Sequence, residues 1–259
     1  MKLLINADDF GLSRGQNYGI IDCFKKGVVA STTLLSTTQA FEHACQLAKQ
    51  HRTLDIGVHL SLDLGQPVLD SHMIPSLVSQ PQTFKRYNLE ANELDVSEEE
   101  VYKEWRAQIE KVYAHGLTPS HIDSHHHIHM MTNIFPVYTQ LAKEFQLAVR
   151  FHPRKWSDEQ IQAYQPLLDG LPHADYFLNS FYLTSITPEF FANLQLEENQ
   201  IYEMMCHPAY VDQWIFENSS YNIQRSLEAE TLQSERTKAY IKEKQIELIN
   251  FEQLCNLKG

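Results

Sequence analysis

Short apolar runs alternate with longer amphipathic segments from the first residues of the chain. Residues 2–7 form an apolar run that predicts a strand, and Ser13 is placed to cap a helix from Arg14 to a stop at Gly27. Residues 28–37, rich in Val, Thr and Leu, predict a second strand, 39–50 a helix, and 54–62 a third strand ending in Gly57-Val58-His59-Leu60-Ser61. Residues 63–95 lack periodicity and contain Gly65, Pro67, Pro75 and Pro81, which predicts a long functional loop or small subdomain. Ser97 followed by Glu100 is a capping-box signature for a helix that runs to about His115 and stops at Gly116. Further strands are expected at 120–124, 147–151, 175–178, 201–206 and 246–249, most of them separated by helical segments.

Repeated strand–helix alternation calls for a parallel sheet covered by helices. About eight strands favour closure over an open sheet, so the expected fold is α/β, a (β/α) barrel of mostly parallel strands. A chain of 259 residues suits one such domain spanning 1–259, with 63–95 as an insertion. Asp and Glu number 33 against 21 Lys and Arg, and the net charge of −12 argues against nucleic acid as a partner. The densest basic stretch holds only Arg150, Arg154 and Lys155, so the expected partner is a small molecule. No run approaches the roughly 18 apolar residues of a membrane span, and the apolar start before Asn6 is too short for a signal peptide. Cys23, Cys45, Cys206 and Cys255 are far apart with no CxxC pair, the pattern of reduced thiols, and a cytoplasmic protein is expected. Oligomeric state is open, a homodimer included.

Four polar clusters fall where strands end, and in a β/α barrel the active site lies at the carboxyl ends of the strands. The first is Asn6-Ala7-Asp8-Asp9-Phe10-Gly11. Adjacent carboxylates on a strand face opposite ways, but past its end both can enter one site, where a cation relieves their repulsion. Taken alone, the pair reads more simply as a turn cap. His59, a lone imidazole ending a buried strand, reads on its own as a hydrogen-bonded core residue before it reads as a ligand. The third cluster, His121-Ile122-Asp123-Ser124-His125-His126-His127-Ile128-His129, holds five of the 13 histidines. If extended, His121, Asp123, His125 and His127 share a face; if helical, His121, His125 and His129 do. Either geometry brings more than one imidazole to a point, which predicts metal binding without saying which histidines bind. In the fourth, Met204-Met205-Cys206-His207-Pro208-Ala209, His207 caps a strand or, opposite a metal, serves as a general acid. Arg150, ending the strand at 147–151, is the candidate to hold an Asp in register, or else sits in a surface salt bridge. Cys206 has no base beside it and reads as a small buried apolar residue.

Together these runs resemble the YdjC-like carbohydrate (chitooligosaccharide) deacetylase family. The resemblance rests on Asn6-Ala7-Asp8-Asp9-Phe10-Gly11-Leu12-Ser13, Gly15-Gln16-Asn17-Tyr18-Gly19-Ile20-Ile21, Ser31-Thr32-Thr33, Gly57-Val58-His59, the run from Pro119 to His129, and Cys206-His207-Pro208-Ala209. Residues 63–95 and 157–199 carry no matching signature, and substrate choice is expected there. The resemblance implies a distorted barrel of the glycoside hydrolase/deacetylase type. It also implies a divalent-metal site that removes acetyl groups from N-acetylglucosamine units of chitooligosaccharides, with or without a 6-phosphate. By the same resemblance Asp9, His59 and His125 are metal ligands, Asp8 the general base and His207 the general acid. The family is associated with magnesium, whereas two imidazoles and a carboxylate suit zinc, manganese or nickel better.

Phe10, Tyr18 and Trp156 can stack on sugar faces, each equally readable as core, and His127 is expected at the substrate or as a substitute ligand for His125. Two other readings compete. A metal-dependent phosphoesterase on a similar barrel would want more cations than Arg150, and a non-catalytic sugar or metal binder would not need both Asp8 and His207.

Overall fold

The computed structural model describes residues 1–153 and 156–258, so Arg154 and Lys155 of the basic stretch lie outside the described residues. Its strands are β1 (Lys2–Phe10), β2 (Ser31–Leu34), β3 (Asp55–Leu60), β4 (Val78–Gln80), β5 (Thr83–Phe84), β6 (His121–Ser124), β7 (Ala148–Val149), β8 (Tyr176–Leu178), β9 (Ile201–Cys206) and β10 (Glu247–Ile249). The helices are α1 (Arg14–Lys26), α2 (Phe41–Gln50), α3 (Glu98–Ala114), α4 (Phe135–Phe145), α5 (Asp158–Tyr164), α6 (Pro188–Asn193), α7 (Gln213–Asn218), α8 (Ile223–Gln233), α9 (Glu235–Glu243) and α10 (Phe251–Lys258). None of the described helices is long and apolar enough to cross a membrane.

Eight strands form one parallel sheet in the order β7-β6-β3-β2-β1-β9-β8, with β10 paired to β1. Neighbours follow chain order around a distorted barrel whose two edges are β7 and β8. Near that seam the Val149 N–H donates to the Pro172 carbonyl at 2.9 Å. All the expected strands are present, but β10 takes no barrel position of its own. It pairs with residues 2–4 of β1, and from Asn6 onward the same edge of β1 pairs with β2. The second strand is shorter than expected because only Ser31–Leu34 pairs with both neighbours. Val28, Val29 and Leu35 are buried in the flanking turns, so their apolar character mimics a longer strand.

Inward positions follow the two-residue period of the strands. At the bottom Leu4 packs with Ala148, Ile201, Ile249, Phe251 and Leu254. One step up, Asn6 donates to Thr33 Oγ1 at 3.2 Å and its Oδ1 lies 3.1 Å from Nε2 of His121, whose ring stacks on Phe251 at 3.6 Å. That ring fits because residue 57 is glycine; a Cβ there would lie 2.6 Å from it. The step above carries Asp8, His59 and Asp123. Leu3, Ile5 and Ala7 face the other way into the main core, which is why β1 reads as a continuous apolar run rather than an alternating one.

Both predicted N-caps form, Ser13 accepting from the Gln16 amide and Ser97 from the Glu100 amide. Glu100 does not close a capping box, because its carboxylate accepts from the Ser76 amide at 2.7 Å in the 63–95 segment. That segment carries the antiparallel β4–β5 hairpin and is clamped again by Glu104, which accepts from the amides of Val68 (2.9 Å) and Leu69 (3.0 Å).

Candidate active site

A cleft of about 770 Å³ opens over the carboxyl ends of the strands, lined by Asp8, Asp9, His59, Asp63, His125 and His207 among others. Asp8 and Asp9 share it although both lie within β1. Asp9 is left-handed, with φ at 68°, and the β1–β2 register shifts between Ala7 and Phe10. This irregularity turns both carboxylates into the cleft.

Arg150 fixes Asp8. Its Nη1 and Nη2 donate to Asp8 Oδ2 (2.7 Å) and Oδ1 (2.8 Å), its Nη1 lies 2.8 Å from Asp123 Oδ2, and its Nε donates to Glu203 Oε1 at 2.6 Å. The guanidinium is fully buried, so it is no surface salt bridge. Burial pushes the Asp8 carboxyl up, but Arg150 outweighs it and holds the group at about 2.

The two imidazoles are backed by carboxylates. His59 Nδ1 donates to Asp123 Oδ1 at 2.6 Å and His125 Nδ1 to Asp63 Oδ1 at 3.0 Å, which leaves Nε2 of each ring as the remaining donor atom. The rings stand 5.9 Å apart, edge to face. His59 Nε2 faces Asp9 Oδ1 at 3.4 Å, and that oxygen is buried with no hydrogen-bond partner among the described residues. Asp9 Oδ2 is already taken by Arg225 Nη1 at 2.8 Å. Burial opposes ionisation of Asp9, but Arg225 and His59 hold it well below the usual carboxylate range. Burial lowers His59, yet Asp123 more than reverses this and carries it to about 10.

Ligand-type atoms also gather as Asp8, His59 and Asp123, and as Asp63, His125 and His126. In the first group both carboxylates are spent on Arg150 and His59, and in the second each Asp63 oxygen is spent on one histidine. Asp9 Oδ1 and the Nε2 nitrogens of His59 and His125, by contrast, are not so spent, and by its chemistry this donor set suits a divalent cation.

On the opposite wall, His207 Nε2 lies 4.0 Å from Asp8 Oδ2. Its backbone N–H donates to Glu228 Oε2, and Tyr221 O–H donates to Glu228 Oε1. Burial lowers the His207 imidazole, but Glu228, with Asp8 and Asp9 behind it, raises it above its ordinary value.

Other expected residues land elsewhere. Phe10 is fully buried in the core and does not line the cleft. Tyr18 is exposed on α1, edge-on to His43, and also lies outside it. Trp156 lines the cleft by one edge while its Nε1–H donates to the Met130 carbonyl at 2.8 Å. The histidine run is neither a strand nor a helix throughout. It leaves β6 at Ser124 and turns through left-handed His126 and His127, with φ at 53° and 54°. His121 therefore ends below the site and His129 beside Tyr138, held at Nδ1 by Ser124 Oγ at 2.7 Å, while His127 lines the cleft.

A family model described as YdjC-like protein matches residues 2–243. The chain belongs to the YdjC-like family. A relative from Clostridium beijerinckii, named carbohydrate deacetylase, is 38% identical over 98% of this chain and 100% of its own. The crystal structure of a candidate cellobiose-phosphate cleavage protein from Enterococcus faecalis V583 matches with a TM-score of 0.88 at 38% identity, over 98% of each chain. A family 4 acetyl xylan esterase from Clostridium thermocellum, in complex with cobalt, matches with a TM-score of 0.53 at 12% identity over 100% of this chain and 92% of its own, a likeness of fold.

For this YdjC-like chain, reading the sequence missed Asp63, Glu203, Tyr221, Arg225 and Glu228 as parts of the site, and placed Asp123 in the histidine cluster without giving it a role. Glu203 had a signal: a carboxylate inside the apolar run Ile201-Tyr202-Glu203-Met204-Met205-Cys206 must be paired when buried. Asp123 was legible from its place two residues from His121 on the same strand face, but not its bond to His59. Arg225 and Glu228 sit on a helix whose inward face no local pattern marks.

Proposed function

We propose that this chain is a metal-dependent carbohydrate deacetylase acting on N-acetylglucosamine units of chitooligosaccharides, with 1–259 as one catalytic domain. The observation that carries the reading is the cleft floor, where an Asp9 oxygen without a partner among the described residues faces His59 and a clamped Asp8 faces His207. A second carboxylate-backed imidazole, His125, stands beside His59. The relative named carbohydrate deacetylase, alike over 98% of the chain, supports it. Asp9, His59 and His125 would hold a divalent cation, which when bound lowers the pKa of water and polarises the acetyl carbonyl. Two nitrogens and one oxygen favour zinc, manganese or nickel over magnesium.

The chain's own groups handle the protons. Asp8, fixed by two bonds from Arg150, would be the acceptor for a proton of the attacking water. Asp8 takes that proton as the water oxygen bonds to the acetyl carbon. The C–N bond then breaks, and protonated His207 gives its proton to the sugar nitrogen, which leaves as an amine rather than an amide anion. Arg150 touches no substrate and holds Asp8 in place. Four free cysteines, three of them buried, support a reducing compartment such as the cytoplasm.

The test is acetate release from N-acetylglucosamine oligomers, monomer to pentamer, plain and 6-phosphorylated; the description of the E. faecalis protein favours the phosphorylated arm. Chelation should abolish release. Added metal should restore it in the wild type but not in His59→Ala or His125→Ala. Hydrolysis of a generic phosphatase substrate without acetate release would replace this reading by a phosphoesterase, and sugar binding without turnover by a binding protein.

A further inference from the structure

Glu228 is a fully buried carboxylate whose two oxygens have different partners. Oε2 accepts the backbone N–H of His207, and Oε1 accepts the hydroxyl of Tyr221. His207 Nδ1 stands 3.8 Å from the same Oε1, beyond hydrogen-bond reach, and is buried with no hydrogen-bond partner among the described residues. Two donors therefore address one oxygen, and the tyrosine has it.

Tyr221 is also exposed to what enters the cleft. It lines the wall, its ring meets His207 edge-on at 5.8 Å, and it stacks on Tyr182 at 4.4 Å and 8°. Its carbonyl accepts from Arg225 Nε at 2.8 Å, so the Arg225 side chain that holds Asp9 is tied to the same residue. The other charged groups facing His207 have fixed partners, Asp8 on Arg150 and Asp9 on Arg225. Glu228 is the variable one.

We propose that Tyr221 is a positioning residue that competes with His207 for Glu228 Oε1, and that a sugar displacing the Tyr221 hydroxyl hands this oxygen to His207 Nδ1–H. An imidazolium that gains a charge-assisted bond holds its Nε2 proton more tightly. Tyr221 thus keeps the acid willing to donate, and occupancy of the cleft resets it. The inference rests on His207 being the acid of the proposed deacetylation, and the experiment keeps the two apart.

The imidazole of His207 is titrated by NMR in the zinc-loaded protein, wild type and Tyr221→Phe, alongside pH profiles of acetate release from diacetylchitobiose. Tyr221→Phe keeps the ring and its stack and removes only the competing O–H. It should raise the His207 midpoint by about one pH unit, within the range for a close opposite charge, and move with it the alkaline limb of kcat/KM, which reports the free enzyme. The limb of kcat, where the sugar has already displaced the hydroxyl in the wild type, should stay close to its wild-type place. Glu228→Gln should lower the midpoint and the kcat/KM limb. Tyr182→Leu, at a partly exposed position, loosens Tyr221 without touching Glu228 and should shift the midpoint the same way as Tyr221→Phe, by less. A midpoint unchanged or lowered in Tyr221→Phe and Tyr182→Leu overturns the competition. A midpoint that rises while the alkaline limb of kcat/KM stays put upholds the competition and removes His207 as the acid.

Discussion

One guanidinium, on Arg150, faces the carboxylates of Asp8, Asp123 and Glu203 at 2.6 to 2.8 Å, all of them buried. Three negative charges around one positive charge are not balanced in a low-dielectric interior, and Glu203 shows it: burial, against the pull of Arg150, pushes it up to about 7. The folded metal-free protein thus binds this proton more tightly than the unfolded chain, whose glutamates titrate near 4.5. Stability from this group is present below pH 4.5 and declines as pH rises to about 7. Asp8 has the opposite sign. Held at about 2 against 3.8, it stabilises above pH 3.8, and that contribution is lost as pH falls towards 2. Calorimetric melts of metal-free Glu203→Gln should therefore gain on the wild type as pH rises from about 4.5 to about 7; parallel curves would take Glu203 out of that titration. Asp8→Asn keeps the shape of the group but cannot accept a proton. It should retain metal, by atomic emission, while turnover drops by about 10²–10⁴. Loss of metal instead would exchange the roles of Asp8 and Asp9.

At the level of elements, α3 does more than cover the sheet. Glu100 and Glu104, one turn apart on its buried side, hold the 63–95 segment through the amides of Ser76, Val68 and Leu69, and Gln108, a turn further on, holds Ser61 on both its N–H and its carbonyl. That segment begins with Asp63, which binds His125 and His126, and later lines the cleft with Leu89, Ala91 and Asn92. Removing the clamp should therefore be felt in the cleft. Glu104→Ala leaves two amides and the Gln108 side chain without their acceptor, at a cost of about 1–3 kcal/mol for each group that stays buried. Urea unfolding should show this loss, and hydrogen exchange at 68–69 should rise. A variant as stable as the wild type would mean that water replaces the carboxylate.

Across the whole molecule the sheet has a strong centre and a weak seam. β1 is paired along both edges, to β9 on one side and to β10 and β2 on the other, whereas β7 and β8 are two- and three-residue edges. Amides of β1 should be among the slowest to exchange, and those of β7 and β8 should open at lower free energy. Uniform protection around the barrel would show that the seam is closed in solution. Arg150 follows directly after β7, so loosening there reaches Asp8 first.

Sequence alone determined the strand–helix rhythm, the parallel barrel and the family, because apolar periodicity and turn residues are local and the NADDFG and HIDSHHHIH runs keep their spacing in the chain. The ends of these strands, where polar residues gather, also located the cleft. Only the tertiary structure decided which groups are spent and which are free. Asp8 looks like an open carboxylate until Arg150, 142 residues away, forks onto it, and Asp9 becomes a single free oxygen only because Arg225, 216 residues on, takes the other. The left-handed turn at His126 and His127 likewise parts five consecutive-looking histidines into three environments, since a side chain's direction depends on backbone angles that neighbouring residue types do not fix. Charges act through space and hydrogen bonds saturate, so the chemistry of this site is a property of pairs that the chain order keeps far apart.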